Sequence, residues 1–152
     1  MDDNDSFLRA AQLIDSGDCA QAYQLLKPHI DEGQPEALFL FSKFSIKSET
    51  DEEFERRSVE CLERAAAGHY PPALYALGVC YDSGELTAYD PVLAARLFEQ
   101  AANSGYAKAK LSHGLNLYYG SNGIMKNVAA GLELIRAAAD EGVEGAIEFL
   151  RG

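Results

Sequence analysis

The sequence predicts an all-α chain of about eight or nine helices, arranged as consecutive pairs stacked on one another. Three observations predict it. Ala37, Ala73, Ala109 and Ala146 each open a similar stretch, at spacings of 36, 36 and 37 residues. The pairs Ala65-Ala66, Ala101-Ala102 and Ala138-Ala139 begin eight residues before the later three anchors. Between these marks apolar residues recur at helical spacing, and no segment alternates as a strand does. A period of this size belongs to small helical units that cannot bury their apolar faces alone and therefore stack. The chain has 152 residues, 47% of them hydrophobic, which suits one domain with a sizeable core.

The elements follow in order. Residues 6–16 are apolar at helical spacing, and Gly17 stops them. Asp18 is placed to cap a second helix carrying Ala22, Tyr23, Leu25 and Leu26, which should be shortened or bent by Pro28 and end by Gly33. Pro35 suits the first turn of a third helix, running from Ala37 to about Lys47. Thr50 with Glu53 has capping-box spacing, and Asp51, Glu52 and Glu53 favour a helix N-terminus, so a fourth helix runs to Ala67 and ends at Gly68. Pro71-Pro72 opens a fifth, through Tyr81, before the turn Asp82-Ser83-Gly84-Glu85. Asp90-Pro91 is a strong start signal for the sixth, which closes near Gly105. Ala107–Tyr119, a Gly120-Ser121-Asn122-Gly123 turn and an Asn127-capped helix ending at Gly142 repeat that pattern. Residues 143–152 make a partial capping helix. Gly78 and Gly114 stand five residues after their anchors, with Ser42 in the same place in the first unit. Glycine within a helix costs about 1 kcal/mol relative to alanine, so two of them at one repeat position imply close contact with a neighbouring helix.

The charge is −11, and it is uneven: residues 1–55 hold 13 Asp+Glu against four Lys+Arg, the remainder 11 against nine. Such a balance disfavours nucleic acid and anionic membranes, both of which need Lys and Arg to replace counterions. It either keeps the protein soluble or steers a basic partner. Cys19, Cys61 and Cys80 form no CxxC pair, are odd in number and sit in apolar helical contexts, as small buried hydrophobes do. They suggest a reducing compartment. The acidic start, Met1 to Asp5, leads into no long apolar run, and no stretch of about 18 apolar residues exists. A cytoplasmic protein is expected.

The segment Ala73-Leu74-Tyr75-Ala76-Leu77-Gly78-Val79-Cys80-Tyr81, with Asp90 and Ala101-Ala102-Asn103-Ser104-Gly105, resembles the Sel-one-like repeat, a relative of the tetratricopeptide repeat. Ala109, Gly114, Asn127 and Ala138-Ala139-Asp140-Glu141-Gly142 match a second copy, with His113 in place of a leucine. Residues 35–68 resemble a degenerate copy, with Phe41-Ser42 where Leu-Gly is expected, and 6–33 look closer to an ordinary tetratricopeptide pair. The resemblance implies a right-handed α-solenoid of antiparallel helix pairs that binds proteins or peptides. It implies no catalytic residues, and bacterial members are often adaptors, regulators or effector-associated proteins.

No enzyme constellation is present. His29, His69 and His113 occupy different repeat positions. Metal-type Cys/His spacing, phosphate loops and nucleophile motifs are missing, so no catalytic residue, metal or cofactor is assigned. His69 reads as an exposed loop residue and His113 as a packed one. The binding case rests on the first helix of each pair, which lines the concave face if the implied geometry holds. Offsets +2, +6 and +9 from each anchor then face inward: Phe39, Lys43 and Ile46; Tyr75, Val79 and Asp82; Leu111, Leu115 and Tyr118. The +2 residues are large and apolar and equally suit the core, whereas tyrosines serve both packing and recognition. The acid run Asp51, Glu52, Glu53 and Glu55 either initiates a helix or meets a basic partner.

The expected function is a non-enzymatic protein-binding module. Its partner would be a basic protein, met through Phe39, Lys43, Asp51, Glu52, Glu53, Glu55, Tyr75, Val79, Asp82, Leu115 and Tyr118. A bacterial immunity or inhibitor protein is one form of this. A structural scaffold or homo-oligomeric adaptor is the alternative, with no nucleic acid, membrane or small-molecule substrate expected in either case.

Overall fold

Helices α1 (Asp3–Asp15) and α2 (Cys19–Asp31) form the first pair in the computed structural model, which describes residues 2–152. They are followed by α3 (Pro35–Phe41), α4 (Asp51–Ala67), α5 (Pro71–Ser83), α6 (Pro91–Asn103), α7 (Ala107–Tyr119), α8 (Val128–Asp140) and α9 (Glu144–Arg151). Among the described residues there are nine helices and no strand. They divide into two compact units, with the division between Ala73 and Leu74 in the first turn of α5.

In the first unit α1 packs on α2 across the short turn 16–18, and α3 packs on α4 across the longer loop 42–50. The Asp2 carboxylate accepts the Asp5 N–H at 2.8 Å, so α1 starts three residues ahead of Ser6. Asp18 caps α2 as expected. Pro28 does not shorten that helix: it is exposed in the last turn, forfeits one hydrogen bond, and its carbonyl still accepts from Glu32 N at 3.2 Å. The Thr50–Glu53 capping box is formed in both directions.

The main departure from sequence expectation is α3. It ends at Phe41, with Ser42 as cap, six residues short of Lys47. A continuing helix would have occupied the Phe41 and Ser42 carbonyls with its own N–H groups. Here side chains of α4 occupy them. Arg57 Nη1 donates to Phe41 O at 2.8 Å and Ser58 Oγ donates to Ser42 O at 2.8 Å. Arg57 Nη2 also reaches Phe44 O at 2.7 Å. The guanidinium stacks 3.6 Å from the Phe41 ring centroid, and its Nε pairs with Glu49. With every orphaned carbonyl satisfied, the early end is stable. The positions equivalent to Arg57 in the later repeats are Leu93 and Ala130, which cannot do this.

Five helix ends share one hydrogen-bonding pattern, in which two successive N–H groups fold back onto the last turn. Gly17, Gly33, Gly105 and Gly142 supply the left-handed residue at four of them. The fifth ends α4, and there the left-handed residue is His69, at φ 58°, with Gly68 before it in ordinary geometry. Gly68 is needed for another reason: a Cβ on it would stand 2.5 Å from Pro35 Cγ.

In the second unit α6 packs on α7, α7 on α8 and α8 on α9. Asp90 and Asn127 cap α6 and α8 by accepting the third N–H of each helix. The two repeats solve the close approach at their glycines differently. A Cβ on Gly78 would fall 2.6 Å from the Phe98 ring, so there a side chain fills the space. At Gly114 the equivalent of Phe98 is the smaller Ile135, whose Cγ1 a Cβ on Gly114 would meet at 2.9 Å, and the α8 backbone also moves in, with Gly131 O at 3.0 Å. A Cβ on Gly131 would lie 2.7 Å from Gly114 O. Ala94 is the counterpart of Gly131, so Ala94 with Phe98 in one repeat is exchanged for Gly131 with Ile135 in the next.

The periodic alanines are where packing is tightest. Ala37, Ala65, Ala73, Ala101, Ala109, Ala138 and Ala146 are all 0% exposed. Any larger side chain there would push helices apart.

Candidate interaction surfaces

The acid-rich segment of the first unit is divided by the fold into structural and free carboxylates. Glu49 is consumed by Arg57, whose hydrogen bond holds its carboxyl below the usual carboxylate range. Glu53 closes the capping box. Asp51, Glu52 and Glu55 are exposed at the start of α4, with no cation in ion-pair range among the described residues. Helix geometry welcomes them, because the α4 N-terminus carries partial positive charge.

The aromatic candidates are more enclosed than the inward offsets suggest. Phe39 is half-buried, edge-on to Tyr70 at 5.5 Å, with Lys43 Nζ 4.7 Å from its ring centroid. Lys43 is exposed, but it lies beyond the end of α3, as does Ile46, so the helical offsets +6 and +9 fail in this repeat. The cause is the early termination by Arg57 and Ser58. Ile46 instead lines a groove with Tyr23, Lys47 and Cys19. Cys19 is therefore partly exposed, against expectation, whereas Cys61 and Cys80 are buried and all three are free thiols.

In the second unit the Tyr75 ring lies tilted against those of Phe98 and Tyr106, with centroids at 5.5 and 5.4 Å. Val79 and Asp82 are exposed along α5. Leu115 and Tyr118 pack against the Ile135, Ala138 and Ala146 core, and Tyr118 meets Phe149 edge-on at 5.3 Å. These two have a structural task whether or not they also meet a partner. Exposed apolar residues that the repeat offsets did not single out include Leu8, Tyr89 and Met125, the last 88% exposed.

His113 is 6% exposed, its Nδ1 has no hydrogen-bond partner among the described residues, and its Nε2 lies 3.7 Å from Glu99. Burial pushes its pKa down, with Glu99 opposing. His69 is exposed in its loop and His29 pairs with Gln34 at 2.9 Å, so the three histidines do not converge. No group of three or more His, Cys, Asp or Glu among the described residues could hold a metal ion. No described helix is long and apolar enough to cross a membrane.

The helix-pair geometry, the buried alanine period and the capped second helices agree with a comparison at the level of sequence. The family model of the Sel1 repeat matches residues 71–106 and 107–143. The chain carries two Sel1 repeats. Solved structures extend the likeness beyond them. A Sel1 repeat protein from Oxalobacter formigenes is 28% identical, with a TM-score of 0.73 over 83% of this chain and 94% of that one. A protective antigen of uropathogenic Escherichia coli displaying an SLR fold is 24% identical, with a TM-score of 0.66 over 78% of this chain and 25% of its own length. Cysteine rich protein B of Helicobacter pylori is 18% identical, with a TM-score of 0.62 over 87% of this chain and 94% of that one. No curated protein matches the chain. The fold is thus the all-helical one of the Sel1-like repeat solenoids, and Sel1 repeats are in general protein-interaction modules.

Proposed function

We propose that this Sel1-repeat chain is a non-enzymatic, cytoplasmic protein-binding module whose acidic first unit takes a basic protein partner. The observation that carries the reading is the division of labour among the acids of residues 49–55. Glu49 and Glu53 are spent on folding, while Asp51, Glu52 and Glu55 stand exposed and unneutralised on one helix end. Stability alone needs fewer acids than this, since the capping box already satisfies the helix start. Phe39 and Lys43 in the first unit, and Tyr75, Val79 and Asp82 in the second, are further contact residues on this reading. Leu115 and Tyr118 are secondary, because the core holds them.

The mechanism is occupation of a basic surface. Field lines from the free carboxylates raise the encounter rate, and close apolar contacts set the lifetime of the complex. An inhibitor or immunity protein that covers the basic site of a toxic enzyme works in this way. Affinity purification from the source cell with quantitative mass spectrometry tests the reading. A specific partner of high isoelectric point, released by raised salt, is the expected result. Recovery of only neutral or acidic partners, unaffected by salt, contradicts it.

A further inference from the structure

A groove of about 530 Å³ lies in the first unit where α1 packs against α3. Phe7 and Leu40, both nearly fully buried, form its floor together with Tyr70. Leu8 stands on its lip at 62% exposure. Asp5, from the first turn of α1, and Glu36, from the first turn of α3, belong to the same lining. Neither carboxylate has a cation in ion-pair range among the described residues, although the same unit pairs Asp31 with Lys27 and Glu49 with Arg57.

We propose that this groove is a docking site for a basic segment of a protein partner, one that presents a large apolar side chain between two cationic ones. The choice of occupant follows from charge and desolvation. The apolar floor rewards a buried aliphatic or aromatic side chain. Covering the groove also strips water from Asp5 and Glu36, and an uncompensated carboxylate resists that strongly. A neutral or acidic segment leaves both charges unpaired, whereas flanking Lys or Arg neutralises them at the rim. The apolar residue supplies the anchor and the two cations supply the selectivity. This site rests on the proposed basic partner, and it differs from the acids of α4 in having an apolar floor.

The test is a titration of the full ¹⁵N-labelled chain with a capped Gly/Ser peptide carrying one leucine between two lysines. A control peptide replaces the lysines by glutamates. Saturable amide shifts confined to residues 4–11, 36–40 and 70 support the site. So does weakening by about tenfold or more in the Asp5→Asn/Glu36→Gln variant. Leu8→Gln should also weaken binding, and because Leu8 is already exposed its melting temperature should match the wild type. Equal binding of the glutamate peptide overturns the site. Shifts at residues 51–55 instead also overturn it, while leaving the basic-partner reading intact. Concentration-dependent shifts at the groove without peptide identify a second copy as the occupant and overturn it as well. The absence of any saturable shift overturns the groove alone, because the basic-partner reading rests on the acids of α4 and stands or falls by the affinity purification.

Discussion

Arg57 and Glu49 form a two-pronged ion pair in which Arg57 Nη2 lies 2.8 Å from Glu49 Oε1, and the same guanidinium donates to the carbonyls of Phe41 and Phe44. Their side chains are only 18% and 10% exposed. One residue thus joins the end of α3, the following loop and α4. It stands where the other repeats have Leu93 and Ala130, and it turns a degenerate repeat into a closed one.

Removing that guanidinium leaves Glu49 and two carbonyls without their partner. Arg57→Ala should cost about 3 kcal/mol, in the range for breaking a partly buried ion pair. Arg57→Lys should recover only part of this, because an ammonium cannot fork onto two carbonyls and a carboxylate together. Urea midpoints at neutral pH, followed by circular dichroism, measure both. A loss below half a kcal/mol for the alanine variant would show that the loop holds itself.

The acid response of the chain should be shaped by His113. Its folded pKa is depressed by burial, so the unfolded chain binds a proton first as pH falls. The stability associated with neutral His113 is fully present above the ordinary histidine range and is lost as pH drops through and below it. Leu77 fills the equivalent place in the preceding repeat and is buried. His113→Leu should therefore remove an unpartnered Nδ1, gain about 1 kcal/mol at pH 7 and gain more at pH 5. Thermal unfolding at the two pH values measures it, and identical pH slopes for variant and wild type would refute the assignment.

The end of α4 carries a removable strain. His69 is left-handed where four sister positions have glycine. His69→Gly should stabilise by about 1 kcal/mol, or roughly 3 °C in melting temperature for a chain of this size. Moving the glycine does not substitute for it. Gly68→Ala should destabilise, because its Cβ would meet Pro35. Calorimetry on the two single variants separates these effects.

The helix class and the repeat period were legible because they are written in local chemistry. Asp90 and Asn127 cap their helices through side chains that reach only three residues on, so the bounds of α6 and α8 could be read closely. α3 could not, since Arg57 and Ser58, which terminate it, arrive from a helix 16 residues away. Gly68 looks like the stop because glycine usually takes the left-handed place, but packing against Pro35 claims it and His69 takes that place instead. Gly131 carries no sequence signal of its own: its counterpart is Ala94, and only the smaller Ile135 in place of Phe98 explains the exchange. Among the candidate contact residues the exposure of Asp51, Glu52 and Glu55 was implied by charge and helix-start position. The enclosure of Tyr75, Leu115 and Tyr118 depends on partners distant in sequence. The α1–α3 groove was invisible for the same reason.

Recognition of a basic protein by the free carboxylates of the first unit has a direct signature in the salt dependence of binding. Once a partner is in hand, its affinity for the wild type and for the Asp51→Asn/Glu52→Gln/Glu55→Gln variant should be compared at low and at high salt. The wild type should bind about tenfold or more tightly at low salt, with the gap narrowing as salt screens it. Equal affinity of the two proteins at both ionic strengths would contradict the account.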